Sequence, residues 1–219
     1  MIKAVLFDVD GVLLDSKEAN AKYLENIIIR AGYRKPEKKD LEKVFHISLL
    51  DSIKLLTKER NKTKITKLWK QAELKENYPF DLIRVPEDIK ETIIKLSKKY
   101  KLGIVTSRAM AGVEEFFHYT RLQNYFEVVV ASDIIKNPKP DPESLFFAIS
   151  KLKVKPNEAV YIGDSRNDLI ASKKAGAFFI LYSNYFEYPL LKAGMWTRDF
   201  RNLPRLISII GRKRSYFHI

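Results

Sequence analysis

The stretch Lys3-Ala4-Val5-Leu6-Phe7-Asp8-Val9-Asp10-Gly11-Val12 decides the fold, because an apolar run leads directly into two carboxylates near the amino terminus. Such a dense apolar run is typical of a strand buried on both faces of a parallel sheet. Ligands of these sheets gather at the carboxyl ends of the strands, which is where Asp8 and Asp10 fall. Two carboxylates this close repel each other unless a cation shares the site or one holds a proton. The stretch therefore predicts a ligand site. A simple Asx turn at Asp10-Gly11 is the alternative if no other segment supplies polar residues that complement these carboxylates.

Composition limits the class of protein. The 219 residues, 46% of them hydrophobic, suffice for one ordinary core and a smaller accessory unit. No stretch approaches the roughly 18 consecutive apolar residues of a membrane helix, and a strand begins at Ile2 where a signal peptide would carry a basic region. We therefore expect a cytoplasmic protein without a membrane partner. The chain has no cysteine and three scattered histidines, so any metal is expected to be held by oxygen.

The formal net charge of +13 raises the question of a polyanionic partner such as nucleic acid. Lysines and glutamates alternate along helical stretches such as residues 36–43, which is typical of a solvated face with intrahelical ion pairs. We favour that interpretation over nucleic-acid binding. Abundant Lys, Glu and Ile without cysteine would also suit a thermophile. Nothing in the sequence indicates the oligomeric state.

From about Val85 onward, apolar runs alternate with amphipathic segments, which predicts parallel crossover units. With the first strand, the pattern gives a parallel sheet of five strands in an α/β, Rossmann-like core with αβα layers. The further strands are expected at 102–106, 128–130, 159–163 and 177–181. The helices are expected at about 86–100, 111–119, 142–151, 165–175 and 203–210.

Residues 16–82 follow a different pattern, since their apolar positions recur at helical spacing and give no convincing strand. Gly32 is predicted to end the first helix of this segment, Pro36 to open the next and Pro79 to end the last. The segment is predicted to be a four-helix cap domain at 16–83, inserted into a catalytic core at 1–15 and 84–219. An insert at this point of the chain is expected to close over the end of the first strand and exclude water.

Polar side chains follow the other predicted strands as well. Thr106 and Ser107 come after the second strand, and Asp164 and Asp168 after the fourth. The proline-rich loop after the third strand carries Lys139, whose position the prolines stiffen. Because the carboxyl ends of parallel strands share one edge, these groups are expected to meet Asp8 in one crevice.

This set of groups is typical of phosphoryl transfer. Clustered carboxylates without histidine or cysteine favour a hard cation such as Mg²⁺, which neutralises them and lets a phosphate dianion enter. An ammonium and a hydroxyl would then stabilise the charge on the transferred phosphoryl oxygens.

The four motifs, in this order and strand context, resemble those of the haloacid dehalogenase-like superfamily of phosphohydrolases, with a helical cap of the phosphoglycolate-phosphatase type. The resemblance covers the whole chain. It implies that Asp8 is the nucleophile that forms an aspartyl-phosphate. It also implies that Asp10 protonates the leaving oxygen and later activates water. Dehalogenases lack this second acid because a halide needs no proton, so Asp10 indicates a phosphate monoester of a small metabolite as substrate.

The resemblance also implies the binding residues. Thr106, Ser107 and Lys139 would bind the phosphoryl group. The cofactor Mg²⁺ would be held by the carboxylates of Asp8 and Asp164, the backbone carbonyl of Asp10 and, in support, Asp168.

Several single residues have alternative interpretations. Asp168 is also explained as an acid in the first turn of a helix, favoured by the helix dipole. Arg108 either approaches a phosphate or lies in solvent. Tyr161 is interpreted as a core residue, and Trp69 and His46 as packing residues of the cap.

Two other functions compete with the phosphatase. In phosphoglucomutase-like enzymes the cap carries a glycine and an arginine before a helix, whereas the comparable stretch here, residues 46–52, has no arginine. A nucleic-acid-binding protein with a vestigial site is the other alternative, and the complete set of polar residues argues against it.

Overall fold

The computed structural model describes residues 1–44, 47–74, 76–183 and 194–213. The chain divides into two compact units, one formed by Met1–Asp15 with Val85–Ile219 and the other by Ser16–Arg84. Their roles as catalytic core and cap stay predictions. No helix within the described ranges has the length and apolar character that a membrane span requires.

The first unit contains a parallel sheet with flanking helices, which confirms the predicted α/β fold class. Its order is β3-β2-β1-β4-β5-β6. The strands are β1 (Ala4–Phe7), β2 (Lys101–Val105), β3 (Val128–Val130), β4 (Ala159–Gly163), β5 (Phe178–Tyr182) and β6 (Trp196–Thr197).

The prediction of five strands was wrong by one. The additional strand, β6, is two residues long and pairs with the end of β5 through Leu181↔Trp196 and Tyr182↔Thr197. Two residues are too short for an alternating pattern, and this strand forms through backbone pairing at the sheet edge.

The α-helices in the described part of the chain are α1 (Lys17–Arg30), α2 (Lys38–Val44), α3 (Leu49–Thr57), α4 (Lys62–Glu73), α5 (Ile89–Ser97), α6 (Met110–Thr120), α7 (Glu143–Lys151), α8 (Arg166–Ala175) and α9 (Leu203–Lys213). The first four belong to the second unit and the others to the first. In the sheet unit, the apolar faces of α7 and α8 pack against buried strand residues such as Leu6, Val105 and Tyr161. The strand β1 is fully buried, as its unbroken apolar run predicts.

Two apolar clusters lie among the described residues of the second unit. Tyr23 and Tyr78 pack together in one, and Trp69 packs against the other, which contains Ile53 and Leu68. His46 lies outside the described residues.

Helix ends in this unit follow the predictions in part. Gly32 follows α1 with φ +81°, a left-handed conformation that glycine adopts without strain. The prediction for Pro79 was wrong, because α4 ends at Glu73 and Pro79 instead precedes the 3₁₀ turn Phe80–Leu82. The carbonyl of Pro79 accepts the Leu82 N–H at 3.1 Å, a role that the missing proline N–H does not prevent.

Candidate active site

The register of the sheet places the predicted site residues at one edge. Phe7 lies opposite Ile104 on one side and Ile162 on the other. Asp8 is therefore level with the ends of both neighbouring strands, and Thr106 and Asp164 follow one position further on. The central position of β1 brings together groups that are far apart in sequence.

Three carboxylates form the centre of this edge. Asp8, Asp164 and Asp168 each offer an oxygen, and these oxygens lie within 4.8 Å of one another. Asp8 and Asp168 are buried, at 7% and 0% exposure. Gly11 makes room for the cluster, because it has φ +77° and a Cβ there would lie 1.9 Å from Asp164 Oδ2. Only glycine fits both the backbone conformation and this close approach.

Lys139 is tied to the same cluster. Its Nζ lies 3.0 Å from Asp8 Oδ2, 2.7 Å from Asp168 Oδ1 and 2.8 Å from the Tyr161 hydroxyl. An ammonium has three N–H donors, so these three acceptors match its full capacity. The side chain is only 4% exposed. Lys139 is thus a buried cation whose donors are already committed within the protein.

The carboxylates differ in how well their charge is satisfied. Burial raises the pKa of Asp8 from 3.8 to about 6, against the opposing charge of Lys139. Burial and the negative charges of Asp168 and Asp8 raise the pKa of Asp164 well above its ordinary value. Burial also disfavours ionised Asp168, but the charge and hydrogen bond of Lys139 outweigh it, and the pKa of Asp168 is lowered. The cluster therefore contains more negative charge than its lysine balances, which fits a cation held by oxygen ligands.

Asp168 also fixes the start of α8. Its Oδ2 accepts hydrogen bonds from the backbone N–H and the hydroxyl of Ser165, at 3.0 and 2.6 Å, and its own N–H donates to Ser165 Oγ at 3.1 Å. This reciprocal pair is a capping box. Gly163 permits the close packing, since a Cβ there would lie 2.5 Å from Asp168 Cβ. Asp168 lies in the first turn of α8, as the alternative interpretation has it, and also beside Asp8 and Asp164, while its support of a metal ion stays a prediction.

The carboxylate of Asp10 has a different partner from the other acids. It accepts a pair of hydrogen bonds from Arg108, with Nε to Oδ2 at 3.0 Å and Nη2 to Oδ1 at 2.5 Å. The Arg108 side chain is 4% exposed and that of Asp10 is 31% exposed. Of the two interpretations of Arg108, solvent exposure is therefore wrong, because the residue is buried against Asp10.

The loop after β2 presents the remaining predicted residues. Thr106 is buried, and its hydroxyl oxygen accepts the Arg108 N–H at 3.1 Å. Ser107, which the sequence also assigned to phosphate binding, has an exposed side chain.

Tyr161 is buried as predicted, but it is more than a core residue. Its hydroxyl lies 2.9 Å from the Val105 carbonyl and 3.0 Å from Asp168 Oδ1, and it accepts from Lys139. Sequence reasoning missed this contact. The available signal was the hydroxyl itself, because a tyrosine in a fully buried strand must find a hydrogen-bond partner.

Comparison with known sequences indicates the family. The sequence profile of the haloacid dehalogenase-like hydrolases matches residues 5–182. The chain is 30% identical over 176 residues to pyrophosphatase PpaX of Bacillus cereus, covering 80% of each protein.

Solved structures show the same fold. A candidate phosphoglycolate phosphatase from Lactobacillus plantarum superposes with a TM-score of 0.84 at 23% identity, over 94% of this chain and 99% of that one. A β-phosphoglucomutase from Clostridium difficile superposes with a TM-score of 0.81 at 19% identity, over 98% of this chain and 100% of that one. The family profile spans most of the chain, and the resemblance noted in the sequence is confirmed: the protein belongs to the haloacid dehalogenase-like hydrolase family.

Proposed function

We propose that this protein is a Mg²⁺-dependent phosphatase that hydrolyses a small phosphate monoester through an aspartyl-phosphate on Asp8. The observation that carries the proposal is the contact of Asp8 with Lys139 beside two further buried carboxylates, Asp164 and Asp168. A carboxylate at the end of a central strand, next to a cation and a candidate metal site, is suited to attack phosphorus.

The residues fit a hard divalent cation, because buried carboxylate oxygens converge and their charge exceeds that of Lys139. Mg²⁺ would be held by Asp8, Asp164 and the backbone carbonyl of Asp10, with Asp168 in support. When bound, it would offset the carboxylate charge and polarise the phosphoryl oxygens.

The reaction has two steps. In the first, an Asp8 oxygen forms a bond to phosphorus while the bond from phosphorus to the leaving oxygen breaks, and Asp10 gives that oxygen a proton. In the second, water attacks phosphorus and gives a proton to Asp10. The bond between Asp8 and phosphorus then breaks, and inorganic phosphate is released.

Lys139 and Thr106 would bind the phosphoryl oxygens, and Ser107 would contribute from the exposed side of the loop. Because all three donors of Lys139 are committed, a new contact requires one partner to be replaced. Formation of the aspartyl-phosphate supplies that exchange, since the charge that Lys139 balances on Asp8 moves to the phosphoryl oxygens. The second unit would act as the cap that selects the substrate and excludes water.

The test is phosphate release by the purified protein with Mg²⁺ from p-nitrophenyl phosphate and from a panel of phosphorylated metabolites. We expect turnover that EDTA abolishes and that Asp8→Asn removes. Asp81→Asn, an exposed acid of the second unit, is the matched control and is expected to keep full activity. Full activity of Asp8→Asn, or no release from any monoester, would overturn the proposal.

Pyrophosphate is a second candidate substrate, favoured by the 30% identity to a pyrophosphatase. Adding pyrophosphate to the same panel decides between the two classes by comparing kcat/KM. A mutase is tested by incubation with hexose 1-phosphate and detection of the 6-phosphate, and we expect hydrolysis instead.

A further inference from the structure

Arg108 occupies an unusual position for a residue of a surface loop. Its backbone N–H donates to Thr106 Oγ1 at 3.1 Å, and its carbonyl accepts the Ser132 N–H at 3.0 Å. The loop that carries it is therefore fixed on two sides, by a predicted phosphate-binding residue and by the segment after β3. This leaves the long side chain as the part that reaches into the site.

The helix α6 is shaped to accept that side chain. Gly112 lies in its first turn, where a Cβ would be 2.6 Å from Arg108 Cδ and 2.7 Å from Cγ. A glycine inside a helix destabilises it relative to alanine, so the presence of Gly112 needs a reason. The space that the Arg108 side chain fills supplies one.

The other end of the side chain is held by charge. Nε and Nη2 bind both oxygens of Asp10, and Nη1 lies 3.9 Å from Glu115 Oε2 on α6. Asp10 is the partly exposed member of the pair, and Arg108 is the buried one. The planar guanidinium thus binds both oxygens of Asp10 and restricts the carboxylate to a single orientation.

We propose that Arg108 is a positioning residue, which holds the Asp10 carboxylate in the orientation needed for proton transfer to the leaving oxygen. This inference rests on the proposed function, in which Asp10 has that role. Proton transfer requires heavy atoms within about 2.6–3.2 Å, whereas an unrestrained aspartate side chain samples several rotamers. Gly112 belongs to the same device, because it leaves the space that the arginine needs.

The test compares two substrates that differ in how much they need the proton. p-Nitrophenyl phosphate has a good leaving group, and glycerol 2-phosphate releases an alkoxide unless it is protonated. The constant kcat/KM reports the steps up to departure of the leaving group. We expect Arg108→Ala and Arg108→Lys to lower it about 10²-fold for glycerol 2-phosphate and by less than about threefold for p-nitrophenyl phosphate.

Gly112→Ala provides an indirect variant that keeps the arginine but fills its space, and we expect the same selective loss to a smaller degree. Arg201→Lys is the matched control, since Arg201 makes the same type of paired contact with Asp199 in an exposed turn, with Nε and Nη2 each at 3.0 Å. Arg201→Lys is expected to leave kcat/KM unchanged for both substrates. If Arg108→Ala does not fold, Arg108→Lys and Gly112→Ala still carry the comparison.

Equal losses with both substrates would overturn the proposal, since they would indicate a general structural or phosphate-binding role. An increase with glycerol 2-phosphate would overturn it as well, because the pair would then restrain Asp10 from its task. Failure of the proposed function is distinct from these outcomes. It would show as no phosphate release by the unmodified protein from either substrate.

Discussion

Replacing the proposed nucleophile is expected to stabilise the metal-free protein while abolishing its activity. The pKa of Asp8 is raised from 3.8 to about 6, mainly by burial. A raised folded-state pKa means that the folded protein holds this proton more tightly than the unfolded chain. The stabilisation that this bound proton gives the folded protein is present in full below pH 3.8 and is lost as the pH rises through about 6. The amide of the Asp8→Asn variant cannot ionise, so the variant avoids that loss.

The magnitude follows from the difference between the two pKa values. Each pH unit between them corresponds to about 1.4 kcal/mol, so ionised Asp8 costs about 3 kcal/mol above the folded pKa. The attraction to Lys139 is already included, because it contributes to the folded pKa. For a chain of this size, about 3 kcal/mol corresponds to a rise in Tm of about 6–12 °C.

The assay is thermal unfolding of Asp8→Asn and the unmodified protein in EDTA, at about pH 8 and at about pH 5. We expect the variant to have the higher Tm at the higher pH and a smaller advantage at the lower one. Added Mg²⁺ should stabilise the unmodified protein more than the variant, and Asp81→Asn should behave like the unmodified protein. A Tm of Asp8→Asn at or below that of the unmodified protein at the higher pH would refute the reasoning, because the contact with Lys139 would then outweigh burial.

Three further outcomes are expected. Tyr161→Phe removes an acceptor of the buried Lys139 and should lower the free energy of unfolding by about 1–3 kcal/mol in urea titrations, and no change would contradict the hydrogen bond. Gly11→Ala should weaken Mg²⁺ binding in calorimetric titrations, because its Cβ would displace the Asp164 carboxylate, and unaltered affinity would argue against Asp164 as a ligand. The pKa of Glu59 is lowered, chiefly by a hydrogen bond from the Asn61 N–H. Its stabilisation is therefore present at neutral pH and lost as the pH falls through that lowered value, and Glu59→Gln should flatten the acid limb of the stability curve.

The sheet was predictable where its sequence signal is strong. β1 and β4 are unbroken apolar runs, and each appears at or within the predicted bounds. The position of the site at one edge of the sheet could be predicted from these strands, because the parallel topology alone brings together the residues that follow their carboxyl ends. β6 was missed, since its two residues depend on a neighbour's backbone and carry no periodic pattern.

Side-chain pairing was the part that the sequence did not contain. Arg108 and Asp10 are 98 residues apart, and nothing local distinguishes a buried guanidinium from an exposed one on a polar loop. A glycine within a helix, Gly112, is the sequence feature that relates to this contact. It indicates the contact only once the structure shows that the Arg108 side chain passes over it. Ion pairs between loops are set by tertiary packing, so pattern and spacing do not specify them.

The charge balance of the site explains why a metal ion and a phosphate would be expected to bind together. Two cations that contact the site's carboxylates are already engaged, Lys139 by Asp8 and Asp168 and Arg108 by Asp10. A phosphate dianion that enters the protein alone would therefore meet excess negative charge, while Lys139 and Arg108 are both bound to carboxylates. A divalent cation reverses that situation, and the linkage is reciprocal, so bound phosphate must strengthen metal binding by the same factor. The fold tolerates an unfavourable cluster of acids in the metal-free state, and relief of their repulsion would favour binding of a cation and, through it, of a phosphate ligand.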